Sequence, residues 1–264
     1  MSKLRLIIPD SHGCYADDAA VNAMLKDAKT LDPTEIVMLG DHVDCNGFLS
    51  THGLPGALAD CDYSYDEDIK AANKLLDKIA KAAPRARIHY IEGNHEHRVE
   101  RWAIGQALAK RVDAEGLRRA VAPEYLLGLK GRGITYYRSH EHYQGINIPG
   151  TIRLGKCFFT HGIAAGKAAA DRHVDAFAAS VVFGHIHRTV ASVTRKVSTG
   201  SIGAWSPGCL AKLQQLYAHS NPTGHTHGYA VQFVANSGNF QHVQVTIDNG
   251  VSLLGKLANL ARQA

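Results

Sequence analysis

The sequence predicts an α/β protein built around a mainly parallel β-sheet. Three observations carry this. Short apolar runs of strand length, "LRLIIP", "EIVML" and "RIHYI", recur through the first hundred residues. Segments with apolar residues at helical spacing separate them. Each run also breaks off into Asp, His or Asn within a few residues, as strands do when their carboxyl ends carry a site.

Taken in order, "LRLIIP" reads as a buried strand. Asp17 can cap a following helix whose apolar face is Val21, Met24, Leu25 and Ala28, and Asp32-Pro33 stops it. "EIVML" is the second strand. A loop rich in Gly, Asp and Tyr (45–66) leads to a second helix with Ile69, Ala72, Leu76, Ile79 and Ala83 on one face, ended by Pro84. "RIHYI" is the third strand, so strand and helix alternate at the pitch of βαβ units. Residues 97–128 then read as helical, "GITYYRSH" as a strand, and "TIRLGKCFFTHG" as a hairpin turning at Leu154-Gly155-Lys156. Residues 164–178 are Ala-rich and helical in character, and "SVVFG" is another buried strand. "TVASVT", "KVSTGS", "YAVQFVA" and "FQHVQVTI" read as strands, and 251–261 as a closing helix. With no repeat and no linker, 1–264 reads as one domain with a helical and loop insertion at about 97–150. That insertion follows "GNHE" directly and is expected to overhang the site.

At 264 residues the chain can bury a large core without disulfides. Its five cysteines (Cys14, Cys45, Cys61, Cys157, Cys209) form no CxxC pair, which fits a reducing compartment. No stretch approaches membrane-spanning length and the N-terminal apolar run is too short for a signal peptide, so the expectation is a cytoplasmic protein without a membrane partner. The net charge of +5 permits an anionic substrate without demonstrating one. Sixteen histidines are an excess that invites a metal or phosphate reading.

Five strand ends finish on ligand-type residues. "LIIP" leads to Asp10 and His12, "IVMLG" to Asp41 and Asp44, and "HYIEG" to Asn94 and His95. "CFFT" leads to His161, and "VVFG" to His185 and His187. A lone strand-end His is more often a hydrogen-bonded structural imidazole than a ligand. Five such ends in succession make independent accidents a poor explanation. Carboxylate, imidazole and amide oxygen together suit a first-row transition metal better than calcium.

The blocks "DSH" (10–12), "GDHVD" (40–44), "GNHE" (93–96), "THG" (160–162) and "GHIH" (184–187), in this order, resemble the calcineurin-like metallophosphoesterases. "SPGCL" and "HGYAVQFV" add a weaker likeness to compact phosphoesterases encoded by bacteriophages. The resemblance implies a four-layer α/β/β/α sandwich with two mixed sheets. It also implies two divalent transition-metal ions, manganese first, with iron, zinc, nickel or cobalt as alternatives. By motif, Asp10, His12 and His187 hold one ion, Asn94, His161 and His185 the other, and Asp41 bridges both. His95 sits beside the leaving oxygen, and Asp44 orients it. The chemistry is coherent: two cations neutralise a phosphodiester and lower the pKa of a bound water to about 7. A carboxylate beside His95 favours the imidazolium that protonates a leaving alkoxide.

Where protein phosphatases of this superfamily carry an Arg after the second Asp, this chain has Cys45 and Asn46. That counts against a dedicated phosphoprotein phosphatase. Asn46 and Arg98, with His97, are the candidate substrate contacts, by flank position alone. His140, His142, His225 and His227 could line the pocket or bind a further metal, and several tyrosines could stack a base. The expected substrate is a small phosphate ester, nucleotide-type diesters foremost. A second reading is a DNA nuclease, supported by the basic clusters at 109–119 and 130–138. A third is a non-catalytic scaffold like the phosphoesterase-related retromer subunit. Oligomeric state is not readable from the chain.

Overall fold

The computed structural model describes residues 3–48, 63–197, 200–214 and 223–263. Its strands are β1 (Lys3–Ile8), β2 (Glu35–Met38), β3 (Arg87–Ile91), β4 (Thr135–Tyr137), β5 (Thr151–Leu154), β6 (Cys157–Thr160), β7 (Ser180–Phe183), β8 (Thr189–Lys196), β9 (Gly200–Pro207), β10 (Gly228–Val234) and β11 (Phe240–Thr246). The helices are α1 (Asp18–Leu31), α2 (Tyr65–Ala82), α3 (Asn94–Lys110), α4 (Ala114–Val121), α5 (Pro123–Leu126), α6 (Ala169–Phe177) and α7 (Leu254–Gln263).

Two mixed sheets result, one ordered β11-β10-β1-β2-β3-β4 and the other β5-β6-β7-β9-β8. The two-residue alternation of strand side chains explains how they stack. Leu6, Ile8, Ile36, Met38, Ile88 and Tyr90 face a core shared with α1 and α2. Their neighbours Ile7, Val37, Leu39 and Ile91 face the other way, onto Ile152, Phe159 and Val182 of the second sheet. Val181 and Phe183 turn outward onto Ala169, Ala170 and Val174 of α6. The order of layers is helix, sheet, sheet, helix. Strands buried on both faces have no polar side, which is why they read as continuous apolar runs.

Local signals set the helix ends. The Asp17 side chain accepts from Ala20 N at 2.9 Å, and Asp32 ends α1 in the left-handed region at φ 49°. Ile69, Ala72, Leu76 and Ile79 form the buried face of α2, as their spacing predicts.

Three segments differ from the sequence expectation. The helical stretch starts at Asn94 rather than 97, and is cut in three by the left-handed Arg111 and by Pro123 at the start of α5. The helix expected over 164–178 begins only at Ala169. "KVSTGS" spans the β8–β9 connection instead of forming its own strand, and its Ser198 and Thr199 lie outside the described residues. The strand itself is Gly200–Pro207, whose Gly200, Gly203 and Pro207 disguise it. Cys61, and most of the 45–66 loop, also lie outside the described residues. Cys14, Cys45, Cys157 and Cys209 are free thiols. Among the described residues no helix is long and apolar enough to cross a membrane.

One inter-sheet feature is polar. Arg5, 2% exposed, lies against Phe159 and bonds Glu35 Oε2 through Nε at 2.7 Å and Gln232 Oε1 through Nη1 at 2.6 Å. His89 Nε2 stands 3.7 Å from Glu35 Oε1. Arg5 and Glu35 are directly paired across β1 and β2.

Candidate metal centre

Strands β1, β2 and β3 run parallel in one sheet, and β6 and β7 run parallel in the other. Their carboxyl ends meet at one place. Asp10 and His12 follow β1, Asp41 and Asp44 follow β2, His161 follows β6, and His185 and His187 follow β7. Asn94 and His95 belong to the first turn of α3, where backbone N–H groups lack helical partners and favour anions. One of these, His95 N–H, donates to Asp41 Oδ1 at 2.8 Å.

The backbone is bent to deliver these side chains. His12, Asp41, Cys45, His185 and His187 all have positive φ, between 51° and 71°. Such conformations cost on the order of 1–3 kcal/mol each and persist where surrounding bonds over-determine them. The N–H groups of Ser11 and His12 both donate to Asp41 O. Close approach explains two motif glycines. A Cβ on Gly93 would lie 2.0 Å from Asp41 Oδ1, and one on Gly184 would lie 2.5 Å from Asp10 Oδ1.

Two donor clusters result. In the first, His187 Nε2 lies 3.0 Å from His12 Nε2 and 3.3 Å from Asp10 Oδ2. In the second, His161 Nε2 lies 2.9 Å from Asn94 Oδ1 and 3.1 Å from Asp41 Oδ2, with His185 also in reach. The Leu39 carbonyl takes the His161 Nδ1 proton at 2.9 Å, so the lone pair of Nε2 faces two oxygens. In that neutral form three acceptors converge, an arrangement that a metal ion or a proton on Nε2 relieves. Ligands about 2.1 Å from an ion and at right angles to one another stand roughly 3.0 Å apart, which matches these spacings. The residues therefore fit divalent metal ions of the carboxylate–imidazole class.

Protonation carries the same message. Burial alone would lower the His161 pKa, but the Asp41 and Asp10 carboxylates outweigh it and push it up to about 10, a proton filling the role of a cation. Burial would raise Asp10, yet His187 and His161 bring it down to about 2. Asp41 also lies well below the usual carboxylate range, its burial outweighed by His161 and His95. His185 falls to about 4, through burial first and then the neighbouring His161.

His95 Nδ1 lies 2.5 Å from Asp44 O and 3.4 Å from Asp44 Oδ1, and Nε2 lies 3.7 Å from Asp41 Oδ2. Burial opposes charge on His95, but Asp41 and Asp44 prevail and its pKa is raised. Asp44 also bonds His12 Nδ1 at 2.7 Å. Arg98 Nη1 approaches His95 Nδ1 at 2.9 Å. Asn46 opens a short 3-10 turn, Asn46–Phe48, just beyond Cys45. His97 joins a different cluster with Glu92, Glu100 and His140. His142 and His227 bond the carbonyls of Ile146 and Ala211, while the His225 ring stands 4.7 Å from that of His187.

Two supporting carboxylates escaped the sequence reading. Glu96 accepts from the N–H groups of Asp41, His42, Val43 and Gly93 and from Tyr90 OH. Asp68 on α2 accepts from Cys14, Asp44 and Cys45 N–H and from Tyr63 OH. Only the place of Glu96 inside the "GNHE" block could have signalled its role. Burial and the nearby Asp41 charge raise Glu96 to about 7, against the hydrogen bonds from Tyr90 and Val43. Glu96→Gln puts an NH2 against donors, and each orphaned buried donor costs about 1–3 kcal/mol. Chemical denaturation is expected to show a loss of at least about 2 kcal/mol. An unchanged denaturation midpoint would remove this anchoring role.

The family model for calcineurin-like phosphoesterases matches residues 5–189. A comparison with curated protein sequences found no match. Among solved structures, Yfce, a phosphoesterase from E. coli, is 17% identical with a TM-score of 0.40, covering 91% of this chain and 98% of its own. Vacuolar protein sorting 29 from Cryptosporidium parvum is 10% identical with a TM-score of 0.46, covering 95% and 94%. The sequence match spans well over half of the chain and contains all five strand-end blocks. On that match, the chain belongs to the calcineurin-like phosphoesterase family.

Proposed function

We propose that this protein is a binuclear metal-dependent phosphoesterase acting on phosphodiesters of nucleotide type or other small phosphate esters, with monoesters as further substrates. The observation that carries the reading is the convergence of seven donor residues, several at ligand-like spacing. In this reading Asp10, His12 and His187 hold one ion, Asn94, His161 and His185 the other, and Asp41 both. Two such ions supply charge neutralisation and an activated water.

The chain's own residues do the rest. His95 keeps its Nδ1 proton on the Asp44 carbonyl, which fixes the ring and leaves Nε2 to protonate the leaving oxygen. The Asp44 carboxylate stabilises the imidazolium form. Arg98 approaches a nitrogen already satisfied by that carbonyl, so it can turn to a substrate oxygen without stranding His95. Asn46 is the other proposed substrate contact.

Nucleic acid is the weaker substrate reading. Arg118, Arg119, Arg132 and Arg138, from the two basic clusters, pair with Glu100, Glu115, Asp77, Glu124 and Glu141 inside the chain. Paired arginines offer little net charge to a polyanion.

Turnover of bis-p-nitrophenyl phosphate with Mn2+, compared with p-nitrophenyl phosphate and linear single-stranded DNA, tests the reading. The diester is expected to be hydrolysed fastest, with activity lost on chelation and restored by Mn2+. An Asp10→Asn/His161→Ala variant is expected to lose two equivalents of metal. Full activity in a metal-free preparation, or no turnover of any ester with metal bound, would end the proposal.

A further inference from the structure

A second group of metal-type side chains lies outside the strand-end site. Glu92 follows β3, His97 and Glu100 stand one turn apart on α3, and His140 lies beyond β4. Their donor atoms all lie within 4.8 Å of one another. None of the four takes part in the strand-end clusters.

Glu92 and Glu100 are each 3% exposed, and among the described residues Arg118, on Glu100, is the one arginine or lysine in an ion pair with either carboxylate. Buried carboxylates side by side need compensation. His97 Nδ1 faces Glu92 Oε2 at 3.5 Å and Glu100 Oε2 at 3.8 Å, and His140 Nδ1 faces Glu100 Oε2 at 3.9 Å. These are too long for hydrogen bonds, and His97 Nδ1 is buried without a hydrogen-bond partner. Ligands held about 2.0–2.2 Å from a tetrahedral ion stand roughly 3.4 Å apart, slightly inside the spacings seen here.

The supports of the carboxylates are in place. Tyr136 OH donates to Glu92 Oε1 at 3.0 Å, and Ser139 donates to Oε2 through both N–H and hydroxyl at 2.7 Å. Such outer contacts orient ligands around an ion.

We propose that Glu92, His97, Glu100 and His140 form a further, four-coordinate metal site, suited to zinc or a similar first-row divalent ion. Two imidazoles and two carboxylates are a donor set of that class. The site joins the start of α3 to the loop after β4 and has no open position for substrate, so its ion is structural. The competing occupant is a proton: facing Glu100 and Glu92, His97 is pushed up to about 9.

Zinc stoichiometry of the whole protein separates the two, because it does not depend on turnover. After zinc loading and gel filtration, a His97→Gln/His140→Ala variant is expected to hold one equivalent less than the parent. The Asp10→Asn/His161→Ala variant, with the strand-end site emptied, is expected to keep one equivalent. If the double His variant misfolds by circular dichroism, His140→Ala alone serves, since that ring is exposed on a loop. It is expected to weaken this one zinc by at least the roughly 10–100-fold that loss of an outer contact costs. Equal stoichiometry in parent and double His variant, or unchanged affinity in His140→Ala, overturns the site and leaves His97 as a lone imidazolium.

Discussion

His95→Asn is expected to lose roughly 10²–10⁴-fold in turnover on esters with alkoxide leaving groups while keeping the metal content of the parent. The reason lies in what His95 touches. Its ring is held by the Asp44 carbonyl and its main chain by Asp41 Oδ1, and it stands beside the donor clusters without joining either of the two that contain Asp10 and Asp41. Asn keeps the N–H to Asp41 and removes the ionisable group. The loss should shrink for p-nitrophenolate, which departs without a proton. Asp41→Asn is the contrasting variant: it weakens the proposed bridge and should slow every substrate alike through lost metal. Single-turnover rates on good and poor leaving groups, with metal analysis, check both. Equal impairment across leaving groups in His95→Asn would make His95 a phosphate-binding or structural residue.

Glu35→Leu is expected to destabilise the fold by about 3–5 kcal/mol, the cost of stranding a buried charge. Arg5 has Gln232 and the Phe159 ring as its other partners, and neither cancels its charge. Adding Arg5→Met should recover much of the loss, because an apolar pair can replace a buried ion pair at little cost. Urea denaturation of both variants gives the comparison. A double variant no more stable than Glu35→Leu would mean that shape, and not the unpaired guanidinium, sets the penalty.

The α/β alternation, both long amphipathic helices and the five strand ends were legible because each rests on a local pattern. Asp10 or His187 stands out where an apolar run breaks into a ligand. Asp68 did not stand out, since an acid in the first turn of α2 looks like helix-end chemistry. Its contacts with the loop after β2 exist only once the helix has packed. Arg5, Glu35, His89 and Gln232 were hidden for a related reason. Glu35 opens β2, while Arg5, His89 and Gln232 lie within β1, β3 and β10, and only sheet pairing and stacking bring the four together. Strand β9 was masked by its glycines and proline. The first turn of α3 reads as a strand end because only Glu92 and Gly93 separate it from β3.

The strand-end donors are divided between the two sheets: Asp10, His12, Asp41 and Asn94 come with one, His161, His185 and His187 with the other. In the proposed assignment, neither half is a complete ligand set. An ion bound across the seam would therefore act as a clasp, released before the two layers part. At a hundred times its dissociation constant, a single ion adds about 2.7 kcal/mol against such parting. Metal supply would then govern how often the seam opens to proteases and solvent, in addition to whether the site is loaded.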